Sequence, residues 1–225
     1  MKLDGREGVT VPKRVDHAQR RAHIADALVR VAARDGLHAV TMRAVAAEAG
    51  MSLNLVQYYF DTKAQLMHAA LQHLEQQSHE RWSARLESLE NPGSARACLE
   101  AFVDEALPVD ADSHTFRLVW TSYAVLAMTD PELAEQPFVE GPNRLERQLT
   151  HILATAQAAG EIAAYLDASA EASLLLSLSH GVGTSVLVGQ RSAAQARYVM
   201  LYHLSRLFND PTPPETPGQH LMAVS

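Results

Sequence analysis

The chain has 225 residues, is 47% apolar and 20% charged, and carries a formal net charge of −7, with 11 glycines, 10 prolines and one cysteine. That length supports one large domain or a small domain joined to a larger one, and the apolar content is enough for a sizeable core. One cysteine, Cys98, excludes an internal disulfide and fits a reducing cytoplasm as a small buried residue, while the absence of β-type alternation and the long Ala/Leu/Glu/Arg-rich segments indicate an all-helical protein.

The acidic balance argues against nucleic acid until the chain is divided. Residues 1–66 carry ten Lys or Arg against seven Asp or Glu, a net of +3, whereas residues 67–225 carry nine against nineteen, a net of −10. All three lysines, Lys2, Lys13 and Lys63, lie in the first part. Basic side chains are thus concentrated where phosphates would be met, and the remainder has an acidic surface. The first residues contain no apolar run of the signal-peptide type, and the most apolar segment, 172–188, is broken by Ser, His and Gly, so neither secretion nor a membrane span is expected.

Residues 1–15 are polar, with Lys2, Arg6, Lys13 and Arg14 in no periodic arrangement. They read as a flexible arm, either touching a DNA backbone or minor groove or standing as a solvated tail. A first helix follows over 16–35 on the stripe Ile24, Ala27, Leu28 and Val31, ended by Gly36. Thr41 N-caps a second helix in which Val45, Ala46 and Ala49 share a face, and Gly50 ends it. Ser52 caps a third, where Val56, Tyr59 and Phe60 fall together on a buried face and Leu53, Asn54, Gln57 and Tyr58 turn outward. This is the make-up of a helix-turn-helix whose second helix enters a major groove.

A long linking helix spans 61–90 through Leu66, Leu71, Leu74, Trp82 and Leu86, and Asn91-Pro92-Gly93 stops it. Five more helices are expected at 94–107, 112–128, 142–159, 168–188 and 192–208, with a further turn over 132–138. The run P-T-P-P-E-T-P-G places four prolines in the last stretch, so 209–225 reads as a disordered tail. The architecture is all-α. An N-terminal three-helix helix-turn-helix domain, 16–66, is continuous with the linking helix, and a larger helical bundle, 67–208, follows.

The run "A-G-M-S…Y-Y-F-D-T-K-x-x-L", with Thr41, Val45-Ala46, Ala49-Gly50, Met51-Ser52, Tyr59-Phe60, Lys63 and Leu66, resembles the signature of TetR-type regulators. "W-x-x-Y-A-x-L-A-M-T-D-P-E-L" from Trp120 and "H-G-V-G-T-S-V-L-V-G" from His180 resemble BetI-type effector domains, and together the two likenesses cover 16–208. They imply a homodimeric cytoplasmic regulator, most simply a repressor, whose partners are a near-palindromic double-stranded operator, a second copy of itself and an unidentified small-molecule effector. An activator, or a repressor with no effector, is the alternative reading.

On the reading helix, Gln57 can pair bidentately with adenine, Asn54 can do so on a shorter stem, and Leu53 and Leu55 offer contact to a thymine methyl. The resemblance assigns Ser52 and Tyr58 to phosphate, and Thr41, Arg43 and Lys63 add donors or charge at helix starts. Where the family commonly has glycine and an aromatic residue, this chain has Asn54 and Gln57. Relatives' operator preference therefore does not transfer.

The aromatics Phe102, Phe116, Trp120, Tyr123 and Phe138 of the middle helices are candidates for an effector pocket, with core packing as the alternative; Trp120 and Tyr123 can also form part of a cage for a cation. For dimerisation the resemblance points to the last two helices. Leu174, Leu178, Gly181, Val182 and Ser185 are candidates on the first and Tyr198, Leu201, Tyr202, Leu204 and Ser205 on the second, unless those stripes are core. Enzyme readings fail for want of a motif. No G-x-S-x-G elbow accompanies His180-Gly-Val-Gly-Thr-Ser185, no His-Glu-x-x-His occurs among eleven histidines, and neither cofactor nor metal is expected.

Overall fold

The computed structural model describes residues 13–91, 93–136 and 140–208. Among these it holds ten α-helices, one 3₁₀ turn and no strand, the all-α fold expected from the sequence. The chain divides into two compact units, Met1–His73 and Leu74–Ser225. The N-terminal arm through residue 12, Phe138 and the tail 209–225 lie outside the described residues.

The first unit comprises α1 (Lys13–Asp35), the 3₁₀ turn Leu37–Ala39, α2 (Met42–Glu48), α3 (Leu53–Tyr59) and the opening turns of α4 (Lys63–Glu87). Helical spacing puts Ile24, Ala27 and Leu28 of α1 on one side, and all three are fully buried together with Val45, Val56 and Leu66. Thr41 Oγ1 accepts from Ala44 N at 3.0 Å and Ser52 Oγ from Leu55 N at 3.2 Å, so each short helix starts on a side-chain cap. Gly50, at φ 64°, closes α2: Met51 N donates to Ala46 O at 2.9 Å and Gly50 N to Ala47 O at 3.2 Å. That double bond needs a left-handed residue, which glycine adopts without the Cβ penalty. α4 opens on Thr62 Oγ1, which accepts from Gln65 N, while Asp61 N donates back to Gln65 Oε1, both at 3.1 Å.

In the second unit the rest of α4 is followed by α5 (Ala95–Ala106), α6 (Ala111–Ala127), α7 (Pro131–Ala134), α8 (Glu140–Ala158), α9 (Ala168–Leu187) and α10 (Ala193–Leu207). α9 packs against α8 and α10, and α5 lies against all three. Leu99, Val103, Leu149, Leu153, Leu175 and Met200 from these four helices are fully buried in one core. Side chains of Ser94, Asp110, Asp167 and Ser192 cap α5, α6, α9 and α10. α8 begins two residues ahead of Pro142, because a proline in the first helical turn removes only an N–H that has no partner inside the helix. Asp104 of α5 and Arg197 of α10 pair at 2.6 Å, and Cys98 is half-buried with its thiol pKa raised by burial.

Candidate nucleic-acid interface and bundle cavity

The sequence of α3 alternates between residues that hold it down and residues that reach out. Val56 and Phe60 are buried, whereas Asn54, Gln57 and Tyr58 are exposed, Tyr58 to 73%. Leu53, Leu55 and Tyr59 are half-buried. Thr41, Arg43, Ser52 and Lys63 are all exposed around this helix. As caps, Thr41 and Ser52 use their oxygens to accept backbone hydrogens, so each hydroxyl still has its own proton to donate to a phosphate.

What holds the reading helix comes from α1, and pattern reading missed it. Arg21 Nη1 donates to Tyr59 O, the end of α3, at 2.6 Å, with its guanidinium 4.2 Å from the centroid of the Phe60 ring. His23 Nε2 donates to Ala49 O at 3.0 Å, the end of α2. Glu48 takes Arg30 at 2.7 Å and Arg34 at 3.0 Å, and those contacts hold its carboxyl below the usual carboxylate range. These partners stand 14 to 38 residues apart in the chain, so no local signal announces them.

Lys63 stands exposed at the first position of α4. As a point charge on phosphate it adds affinity without sequence information. Lys63→Ala is expected to weaken binding to all duplexes alike and to lower the slope of log K against log salt by about 1. Titrations at several salt concentrations check this, and an unchanged slope would place Lys63 off the DNA.

The second unit holds a cavity among α4, α5, α6, α8 and α9, lined by Phe102, Phe116 and Trp120, three of the candidate aromatics, and by the polar groups Glu105, Arg117 and His180. Its open volume is about 90 Å³. Tyr123 is corrected: it is 1% exposed and does not line the cavity, so it packs the core. The cation cage fails with it. Arg117, whose guanidinium lies 6.0 Å from the Trp120 ring centroid, already brings a cation to that ring.

The dimer candidates divide. Leu174, Gly181 and Tyr202 are exposed, and Leu178, Tyr198 and Leu201 are half-buried. Val182, Ser185, Leu204 and Ser205 are buried within the protomer, Leu204 completely, and are corrected to interior positions. The two serines bond to carbonyls of their own helices, Ser185 Oγ to Val182 O and Ser205 Oγ to Tyr202 O.

His180 stacks at a tilt on Trp120, ring centroids 4.5 Å apart, and its pKa is lowered from 6.5 to about 4, first by burial and then by the charge of Arg117. The folded value lies below the unfolded one, so protons favour the unfolded chain. The stability from neutral His180 is present above about pH 6.5 and is lost as pH falls toward about 4. The melting temperature of the wild type is expected to fall more steeply through that window than that of His180→Gln. Parallel curves would assign the acid sensitivity to other groups.

An exposed polar reading helix on a capped helix-turn-helix, joined in sequence to a helical bundle with a cavity, defines a DNA-binding transcriptional regulator. Comparison with known proteins agrees. Residues 24–70 match the family described as "Bacterial regulatory proteins, tetR family", and residues 95–209, half of the chain, match "BetI-type transcriptional repressor, C-terminal". The chain belongs to the TetR family of transcriptional regulators, which are not enzymes, and has a BetI-type C-terminal domain.

The HTH-type transcriptional regulator BetI of Escherichia coli is 28% identical over 123 residues, 55% of this chain and 63% of its own length. PksA of Bacillus subtilis is 39% identical over 61 residues, 27% of this chain and 30% of its own length. The chain thus spans from about a third to just under two thirds of these curated relatives. Among solved structures, a TetR-family regulator from Rhodococcus sp. superposes with a TM-score of 0.75 at 24% identity, over 85% of this chain and 99% of its own. A regulator from Saccharomonospora viridis in complex with choline gives 0.71 at 24% identity, over 81% and 94%. These likenesses are of fold.

Proposed function

We propose that the protein is a homodimeric repressor that binds a near-palindromic operator and leaves it when a small molecule enters the bundle cavity. The observation that carries the DNA part is the α3 surface, where Asn54, Gln57 and Tyr58 are exposed side by side among Thr41, Arg43, Ser52 and Lys63. One such helix reads too few bases for specificity. Two copies related by a two-fold axis read half-sites about one helical turn, or a multiple of it, apart. The exposed apolar side chains Leu174 on α9 and Tyr202 on α10 support that pairing. Acting on DNA, the protein works in the cytoplasm.

Ligand response is supported by the cavity itself; the choline in the complex from S. viridis belongs to that protein. Glu75, Ser78, His79 and Trp82 of α4 line the cavity, and the same helix opens at Lys63 in the first unit. A ligand that binds one tilt of α4 better than another shifts the population of operator-competent dimers by that difference in affinity.

The test is a binding titration of the purified protein against DNA flanking its own gene. Salt-sensitive binding to a near-palindrome with two protomers per site supports the proposal, and no binding at low salt defeats it. A reporter fused to the operator should be more active without the protein; lower activity would make it an activator. Equal operator affinity with and without a compound proven to bind the cavity would refute the coupling.

A further inference from the structure

The cavity wall has an electrostatic imbalance that says what kind of molecule it takes. Arg117 of α6 is 3% exposed, its Nη2 donates to Ala106 O at 2.5 Å, and its Nε has no hydrogen-bond partner among the described residues. No carboxylate pairs with it among them. Burial alone accounts for the lowering of its pKa to about 10, which still leaves the guanidinium charged at neutral pH. Gly183 of α9 makes the space, since a Cβ there would stand 3.1 Å from Arg117 Nε. A buried charge with one neutral acceptor is costly unless something else completes it.

A second donor in the same wall is also unmet. Trp82 is 4% exposed and its indole Nε1 has no acceptor among the described residues. Two acids also line the wall, Glu75 and Glu105, and neither pairs with Arg117 among the described residues. Glu105 accepts from Ser78 Oγ at 2.8 Å and pairs with Arg81 at 2.8 Å and Arg85 at 3.6 Å. The Glu75 carboxylate lies against Gly141 in the first turn of α8, the end of a helix that favours negative charge. His180 is neutral at pH 7.

The surface beside the cavity has the same sign. An open groove shares His79, Trp82, Arg144 and Gln148 with it and adds Arg147 and His151. Arg144 and Arg147 are exposed, and no acid lines the groove among the described residues. Positive charge in the adjoining groove and the unmet donors Arg117 Nε and Trp82 Nε1, beside one unmet acceptor, Gln148 Oε1, suit an anion with a flat apolar body.

We infer that the effector is a small aromatic or similarly flat carboxylate, its carboxylate held by Arg117 and the Trp82 indole N–H and its body packed among Phe102, Phe116 and Trp120. This rests on the ligand-responsive reading above and names the ligand class. It also separates this cavity from one built for a quaternary ammonium, which would have to sit beside an uncompensated guanidinium.

The chain's two tryptophans, Trp82 and Trp120, both line the cavity, so their fluorescence reports occupancy directly. The full chain is titrated with benzoate, phenylacetate, salicylate and 3-phenylpropionate, each beside the primary amide of the same skeleton, and with choline and phenyltrimethylammonium. At least one carboxylate should bind about 10-fold or more tighter than its amide, a difference of about 1.4 kcal/mol. Arg117→Met should abolish that preference while leaving amide binding in place. Gly183→Ala, which keeps the charge but crowds Nε, should weaken the carboxylate alone. Amides or cations binding as tightly as the carboxylates would overturn the charge assignment and leave the effector reading standing. Silence from all three classes would overturn both.

Discussion

Phe60→Ala should destabilise the DNA-binding unit by about 3–5 kcal/mol and abolish operator binding at 37 °C. Phe60 is 1% exposed, its backbone N–H donates to Val56 O at 3.0 Å as the last bond of α3, and Arg21 lies 4.2 Å from its ring centroid. Alanine would lose the transfer energy of the ring, leave a cavity between α1 and α3, and remove a cation–π contact of about 0.5–2 kcal/mol. A unit of this size is only marginally stable, so the loss takes most of its margin. The two tryptophans stand at 82 and 120, within the second unit, and give a clean readout. Helical signal should fall at lower denaturant than in the wild type while tryptophan emission changes where it did before. If both transitions shift together, the units unfold as one and the local assignment is wrong.

Gln57→Ala should cost about 1–3 kcal/mol at the preferred operator and flatten the preference at one base pair of each half-site. Its amide is exposed one turn from the Ser52 cap, presenting a donor and an acceptor that match the N6 and N7 of adenine. The residue anchors nothing in the fold, so the loss should appear in binding and leave the melting temperature unchanged. Selection from a randomised operator library decides the matter. An identical preferred site for variant and wild type would take the base-reading role from Gln57, with Asn54 the next residue to substitute.

The helix-turn-helix was legible because its signals are local: a cap at Thr41, a stop at Gly50, a cap at Ser52, and apolar residues three and four apart. The cavity was not, because its determinants are tertiary. An arginine in mid-helix reads as a solvated charge, and only Gly183, 66 positions on, gives Arg117 room to be buried. The dimer candidates divided for a different reason. α9 is apolar on more than one side, and spacing alone cannot separate the stripe that meets α8 and α10 from the one left exposed at Leu174. Tyr123 and Trp120 lie three apart on one helix, yet one packs the core and the other faces the void.

The embrace of Arg30 and Arg34 by Glu48 has a bearing on how the operator is found. A guanidinium shared with a carboxylate gives up part of its attraction to phosphate, so the grip on random sequence is expected to be looser than the ten basic residues of the N-terminal part suggest. The base-reading role proposed for Gln57 does not draw on these two arginines. Mistaken encounters are then expected to end sooner, one-dimensional sliding runs to be shorter, and the search to depend more on repeated excursions through solution.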